Sequence, residues 1–105
     1  MKLRIFKNSL RFRLNINDIN TLKDKGLISH QVFFGPTSDD IFCYSIVCSS
    51  SLQLQATYSA NGIKIFLSNI EKKEFLADCD KSLKIDINTG RQKPLRIVIE
   101  KDFAI

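Results

Sequence analysis

The chain has 105 residues, 44% of them hydrophobic, and its 16 Lys and Arg against 11 Asp and Glu give a net charge of +5. That length and apolar content suit one compact domain over residues 1–105, and no apolar run approaches the roughly 20 residues of a membrane helix. Three cysteines without paired spacing argue against a disulfide framework, and with one histidine they leave no ligand set for structural zinc. A charge of this size favours solubility and a weak attraction to polyanions. The basic, alternating N-terminus is unlike a signal peptide, so a full-length cytoplasmic protein is expected.

Lys2–Lys7 and Leu10–Leu14 read as the arms of a hairpin around Asn8-Ser9. A two-residue loop there sets Leu3 opposite Leu14, Arg4 opposite Arg13 and Ile5 opposite Phe12. Asn15 is placed to cap a helix over Ile16–Lys25, with Asp18 three residues on and Gly26 ending it. Ile19 and Leu22 face inward, and Leu14 with Ile19 forms a hydrophobic staple. Ile28–Phe34 reads as a strand stopped by Gly35-Pro36, followed by the polar loop Thr37–Asp40. Ile41–Val47 is a fourth strand whose blurred alternation predicts burial on both faces. Ser49–Ser51 is the one linker-like stretch.

Leu52–Tyr58 alternates cleanly, with Gln53, Gln55 and Thr57 outward. The Asn61-Gly62 turn then pairs Ala60 with Ile63, Tyr58 with Ile65 and Ala56 with Leu67. A helix near Asn69–Cys79 has a thin apolar face of Ile70, Phe75 and Leu76. Leu83–Ile87 and Leu95–Ile99 are the last strands, joined by the basic loop Asn88–Pro94.

An offset of 53 residues relates the two halves of the chain. It carries Asn8 to Asn61, Arg11 to Lys64 and the row Leu10, Phe12, Leu14 to Ile63, Ile65, Leu67. The cap Asn15-x-x-Asp18 falls on Ser68-x-x-Glu71, and Leu22, Val32, Phe34, Tyr44 and Ile46 fall on Phe75, Ile85, Ile87, Ile97 and Ile99. The expected fold is therefore α+β and mainly antiparallel. Two β-β-α-β-β units, pseudo-repeats 1–48 and 52–103, would form an eight-stranded closed or nearly closed barrel-like sheet with two short helices.

The outward positions of the first hairpin are cationic: Lys2, Arg4, Arg11 and Arg13, with Phe6 among them. Like charges opposed across strands are destabilising and call for compensation, either by the protein's own carboxylates or by an anionic ligand. The second unit has Thr57 and Phe66 where the first has Arg4 and Arg13, so these cations are not needed by the scaffold. If the last strand pairs with the first, Glu100 becomes a partner for Arg4 or Arg13. Glu100 and Asp102 also share a face, as an acid/base pair would. Asp39-Asp40 lacks the alternating pattern of a dedicated Ca²⁺ loop and reads as a solvated turn. Cys43 and Cys48 face opposite ways along their strand, and His30 has no nucleophile beside it on its face.

Met1-Lys2-Leu3-Arg4-Ile5, Asn8-Ser9-Leu10-Arg11, Phe34-Gly35-Pro36 and the terminal Glu100-Lys101-Asp102-Phe103 together resemble a family of small bacterial proteins of unknown function. Those proteins open on a basic Asn-Ser hairpin and close on Glu-Lys-Asp-Phe. The resemblance implies a bacterial protein and no particular activity. Eight strands from a duplicated unit also resemble the triphosphate tunnel hydrolases in architecture. Here the inward positions of the first hairpin are Leu, Ile and Phe, so the polar tunnel of those enzymes is missing.

The function expected is a non-enzymatic binding module that holds an anionic ligand or acidic protein on Arg4, Arg11, Arg13 and Arg96, with nucleic acid among the candidates. No cofactor and no metal are implied. The alternatives are an enzyme acting on a phosphorylated substrate through Glu100 and Asp102, and a scaffold whose edge strands pair with another chain.

Overall fold

Strands β1 (Lys2–Phe6) and β2 (Ser9–Leu14) form the first hairpin, in a computed structural model that describes residues 1–50, 53–77 and 81–102. Leu52 of the expected fifth strand, Cys79 of the expected second helix and Phe103 of the closing motif lie outside those residues. The hairpin turns at Lys7-Asn8, one residue earlier than expected, with Lys7 in the left-handed region at φ 50°. Arg4 therefore lies opposite Arg11, and Lys2 opposite Arg13. Each partner shifts by two residues, which leaves every side chain on its expected face.

Helix α1 (Ile16–Lys25) has a full capping box. The Asn15 side chain accepts from the Asp18 N–H at 2.8 Å, and the Asp18 carboxylate accepts from the Asn15 N–H at 2.9 Å. Gly26 closes the helix at φ 69°, donating its N–H to the Leu22 carbonyl. Strands β3 (Leu27–Phe33) and β4 (Ile41–Ser49) follow, separated by a loop containing the 3₁₀ turn Ser38–Asp40. The second half repeats this order with β5 (Gln55–Ser59), β6 (Gly62–Ser68), α2 (Asn69–Ala77), β7 (Leu83–Ile87) and β8 (Leu95–Lys101). Ser68 and Glu71 exchange the same reciprocal cap, both bonds at 3.1 Å. Among the described residues no helix is long and apolar enough to cross a membrane.

Among the described residues the eight strands form no closed barrel. They form two four-stranded sheets, sheet A in the order β1-β2-β8-β7 and sheet B in the order β3-β4-β6-β5. Each sheet takes one hairpin from each half of the chain, and the two hairpins join through a parallel central pair, β2 with β8 and β4 with β6. The last strand thus lies beside β2 and not beside β1, which stays an edge. Parallel pairing sets Leu10 beside Ile97 and Phe12 beside Ile99, aligning the apolar rows of the two hairpins.

The offset of 53 survives in atomic detail. Ser9↔Arg96 in one sheet answers Gly62↔Cys43 in the other, and Arg4↔Arg11 answers Thr57↔Lys64. The Arg96 N–H donates to the Asn8 carbonyl just as the Cys43 N–H donates to the Asn61 carbonyl. The second hairpin also turns one residue early, at Ala60-Asn61, so Ala56 pairs with Ile65 and Tyr58 with Ile63. Only β7 departs. Ile28↔Ile46 answers Leu83↔Ile99, so β7 sits 55 residues after β3, and Ile85 and Ile87 match His30 and Val32 instead of Val32 and Phe34.

The core lies between the inner sheet faces and the two helices. Its fully buried side chains include four pairs at that offset: Phe12/Ile65, Leu14/Leu67, Leu22/Phe75 and Ile46/Ile99. Gly62 is needed for a reason the turn signal hides. It is the first residue of β6, at φ 153°, and a Cβ there would stand 1.8 Å from the Cys43 carbonyl oxygen of the neighbouring parallel strand.

Leu14→Ala and Leu67→Ala should each lower the unfolding free energy by about 3 kcal/mol in urea melts, with closely matching midpoints; a loss from either below about 1 kcal/mol would contradict equivalent core positions. Gly62→Ala should cost at least about 2 kcal/mol, more than Gly90→Ala, where the left-handed φ of 76° is strained for alanine but a Cβ would meet nothing within 4 Å.

Candidate functional site

Strand alternation and register lay the outward side chains of sheet A on a grid. One row across the strands reads Lys2, Arg13, Glu100; the next reads Arg4, Arg11, Val98, Lys84; the third reads Phe6, Ser9, Arg96, Asp86. Six cations therefore share the face with two carboxylates, so most of the molecule's net charge of +5 gathers on one surface. Cross-strand neighbours place their Cβ atoms about 5 Å apart, close enough for the cations to raise one another's electrostatic cost.

Glu100 relieves part of that cost. Its Oε1 accepts from Arg13 Nε at 2.7 Å and lies 3.5 Å from Arg11 Nη1. One carboxylate between two guanidinium groups leaves a net positive charge even where the pairing is best. Arg96 Nε donates to Asp86 Oδ1 at 3.2 Å, with both side chains more than half exposed. Such exposed pairs contribute at most about 1 kcal/mol each. Lys2, Arg4 and Lys84 have no ion pair among the described residues. Arg4 and Arg11 instead border a shallow cavity of about 260 Å³ together with Phe6 and Ser9. Phe6 is 64% exposed, an aromatic face beside the guanidinium groups.

The expected site residues thus divide. Arg11, Arg13 and Glu100 come together, Arg4 joins them through Arg11, and Arg96 is reached through Ser9 and held by Asp86. Asp102 lies just past β8, where its N–H donates to the Leu14 carbonyl at 2.8 Å. Lys84 and Asp86 complete the face and were missed. Their alternation on β7 was legible, but only the β7–β8 register places them beside Val98 and Arg96.

The remaining candidates have local roles. Asp40 accepts from the Thr37 N–H and hydroxyl at 3.1 and 2.9 Å, closing its own turn. Among the described residues no three His, Cys, Asp or Glu side chains gather to hold a metal. Burial raises the Cys48 thiol above its usual pKa, partly offset by the Lys72 charge. Asp18, nearly buried, holds the Met1 ammonium at 2.6 Å with His30 Nε2 4.0 Å away, so the start of β1 is tied to the first turn of α1.

A model for a family of unknown function (DUF7009) matches residues 1–105, and the chain belongs to that family. Among curated proteins none matches it.

Glu100→Gln leaves Arg11 and Arg13 without their carboxylate at a partly exposed site. Urea melts should show a loss of no more than about 1 kcal/mol; a loss of several kcal/mol would mean that Glu100 is a structural keystone and not a tuning charge.

Proposed function

We propose that this member of a family of unknown function is a non-enzymatic binding module that holds an anionic ligand or partner on the outer face of sheet A. Arg4 and Arg11 form its centre, with Lys84 and Arg96 extending it across the sheet and Arg13 held back by Glu100. The observation that carries this reading is the cation excess on a single face, combined with a cavity at Arg4 and Arg11 that no carboxylate lines. A flat, four-stranded surface with cations in successive columns suits an extended polyanion, because several phosphate or sulfate groups can be met at once. Phe6 adds a surface on which a base or other planar group can stack.

The enzyme alternative needs Glu100 free to exchange a proton, and its carboxylate is committed to two guanidinium groups. The same reading takes the chain as one bacterial, cytoplasmic domain built from a duplicated unit over residues 1–48 and 52–103.

Arg4→Ala/Arg11→Ala should elute from heparin at clearly lower salt than the wild type. Its affinity for a single-stranded oligonucleotide should show a log–log salt slope smaller by about 1 to 2. Unchanged retention in the double variant would remove the reading, whereas Glu100→Gln should elute later than the wild type.

A further inference from the structure

The offset that relates the two hairpins also relates two cavities. Arg4, Phe6, Ser9 and Arg11 on sheet A correspond to Thr57, Ser59, Gly62 and Lys64 on sheet B. Those four residues line a cavity of about 270 Å³ on the outer face of sheet B, together with Cys43 and Ser45 of the adjoining strand. Gly62 has no side chain where its counterpart Ser9 has one, and this opens the floor of the depression. The close approach of the Cys43 carbonyl keeps glycine at that position.

The lining is rich in donors and has one charge. In the strand register Lys64 stands between Thr57 and Ser45. Among the described residues Lys64 has no ion pair, and no carboxylate lines the cavity. Ser45 lines this space, and its hydroxyl makes no hydrogen bond among the described residues. Among the described residues no side-chain polar atom is both buried and unbonded, so this hydroxyl is reachable from the cavity and can donate into it. Its neighbours Thr57 and Ser59 add two more hydroxyls.

We propose that this cavity is a second anion site, independent of the sheet A face, and that it takes a small phosphate-class oxyanion. The Lys64 ammonium would neutralise the charge, and the hydroxyls of Ser45, Thr57 and Ser59 would donate to the remaining oxygens. Charge-assisted hydrogen bonds of this kind are the strong ones. The two cavities share a cation at one equivalent position, Arg11 or Lys64, and differ around it. The cavities are of similar size, but guanidinium groups and an aromatic ring suit an extended polyanion on sheet A, whereas hydroxyls around one ammonium suit a single tetrahedral group. Inorganic phosphate and the terminal group of a phosphate monoester present the same chemistry.

The test is a titration of ¹⁵N-labelled protein with inorganic phosphate and, separately, glycerol 3-phosphate, at constant ionic strength. At least one should shift the Ser45, Thr57, Gly62 and Lys64 amides saturably, in the wild type and equally in Arg4→Ala/Arg11→Ala. Tighter binding of the monoester would identify an organic phosphate, and equal or weaker binding would identify the free ion. Lys64→Met, an exposed change that spares the core, should weaken binding by about tenfold or more, and Ser45→Ala should weaken it less. Bound phosphate should also slow alkylation of Cys43 in the wild type but not in Lys64→Met. Non-saturating shifts with both probes, wild-type affinity in Lys64→Met, or loss of the shifts in the Arg4/Arg11 variant would each overturn the proposal. Because that last variant disables only the sheet A face, failure of one site is distinguishable from failure of the other.

Discussion

The parallel contact between hairpins of opposite halves is the constraint on which the remainder of the molecule depends. Neither half can bury its apolar rows with its own strands alone. β2 finds its neighbour in β8, and β6 finds its neighbour in β4, so each sheet is a composite of both halves. The consequence is one core shared by Phe12, Leu14, Leu22 and Ile46 and their counterparts Ile65, Leu67, Phe75 and Ile99, all essentially without solvent contact. A close-packed interior of this kind tolerates little change in volume. Chain positions facing inward therefore keep their apolar character across the offset, even where the residues themselves differ.

Outward positions carry no such restriction, and they differ between the two sheets. The frame that holds Arg13 and Glu100 on sheet A holds Phe66 and Val47 on sheet B, and the place of Arg96 is taken by Cys43. One scaffold thus presents a charged face and a hydroxyl-bearing face on opposite sides of a shared core. Only the cation at Arg11 and Lys64 persists in both.

Much of this was legible in the residues. Alternation assigned the inner and outer faces correctly, because a two-residue shift in pairing leaves the faces unchanged. The caps at Asn15 and Ser68 were readable because their chemistry is local. The shared face of Arg4, Arg11 and Arg13 followed from the same alternation. The tie to Glu100 was expected through pairing of the first and last strands. It arises instead from β2 beside β8, which gives Glu100 to Arg13 and Arg11 and not to Arg4. What could not be read is long-range. Asn61-Gly62 looks like a turn, yet its glycine answers a carbonyl on β4, a neighbour that no local pattern reveals. The expectation of a barrel failed for the same reason. β8 runs parallel to β2 and aligns their apolar rows, a long-range pairing that alternation along one strand does not specify.

The two parallel ladders differ greatly in how far apart their strands lie in the chain. Cys43 and Gly62 are 19 residues apart, whereas Arg13 and Glu100 are 87 apart. Closing the longer loop costs about 1.3 kcal/mol more in chain entropy by the logarithmic rule. Polymer statistics alone therefore favour an order of assembly: the middle of the chain zips first, and its finished sheet then offers a template on which the two ends are brought together.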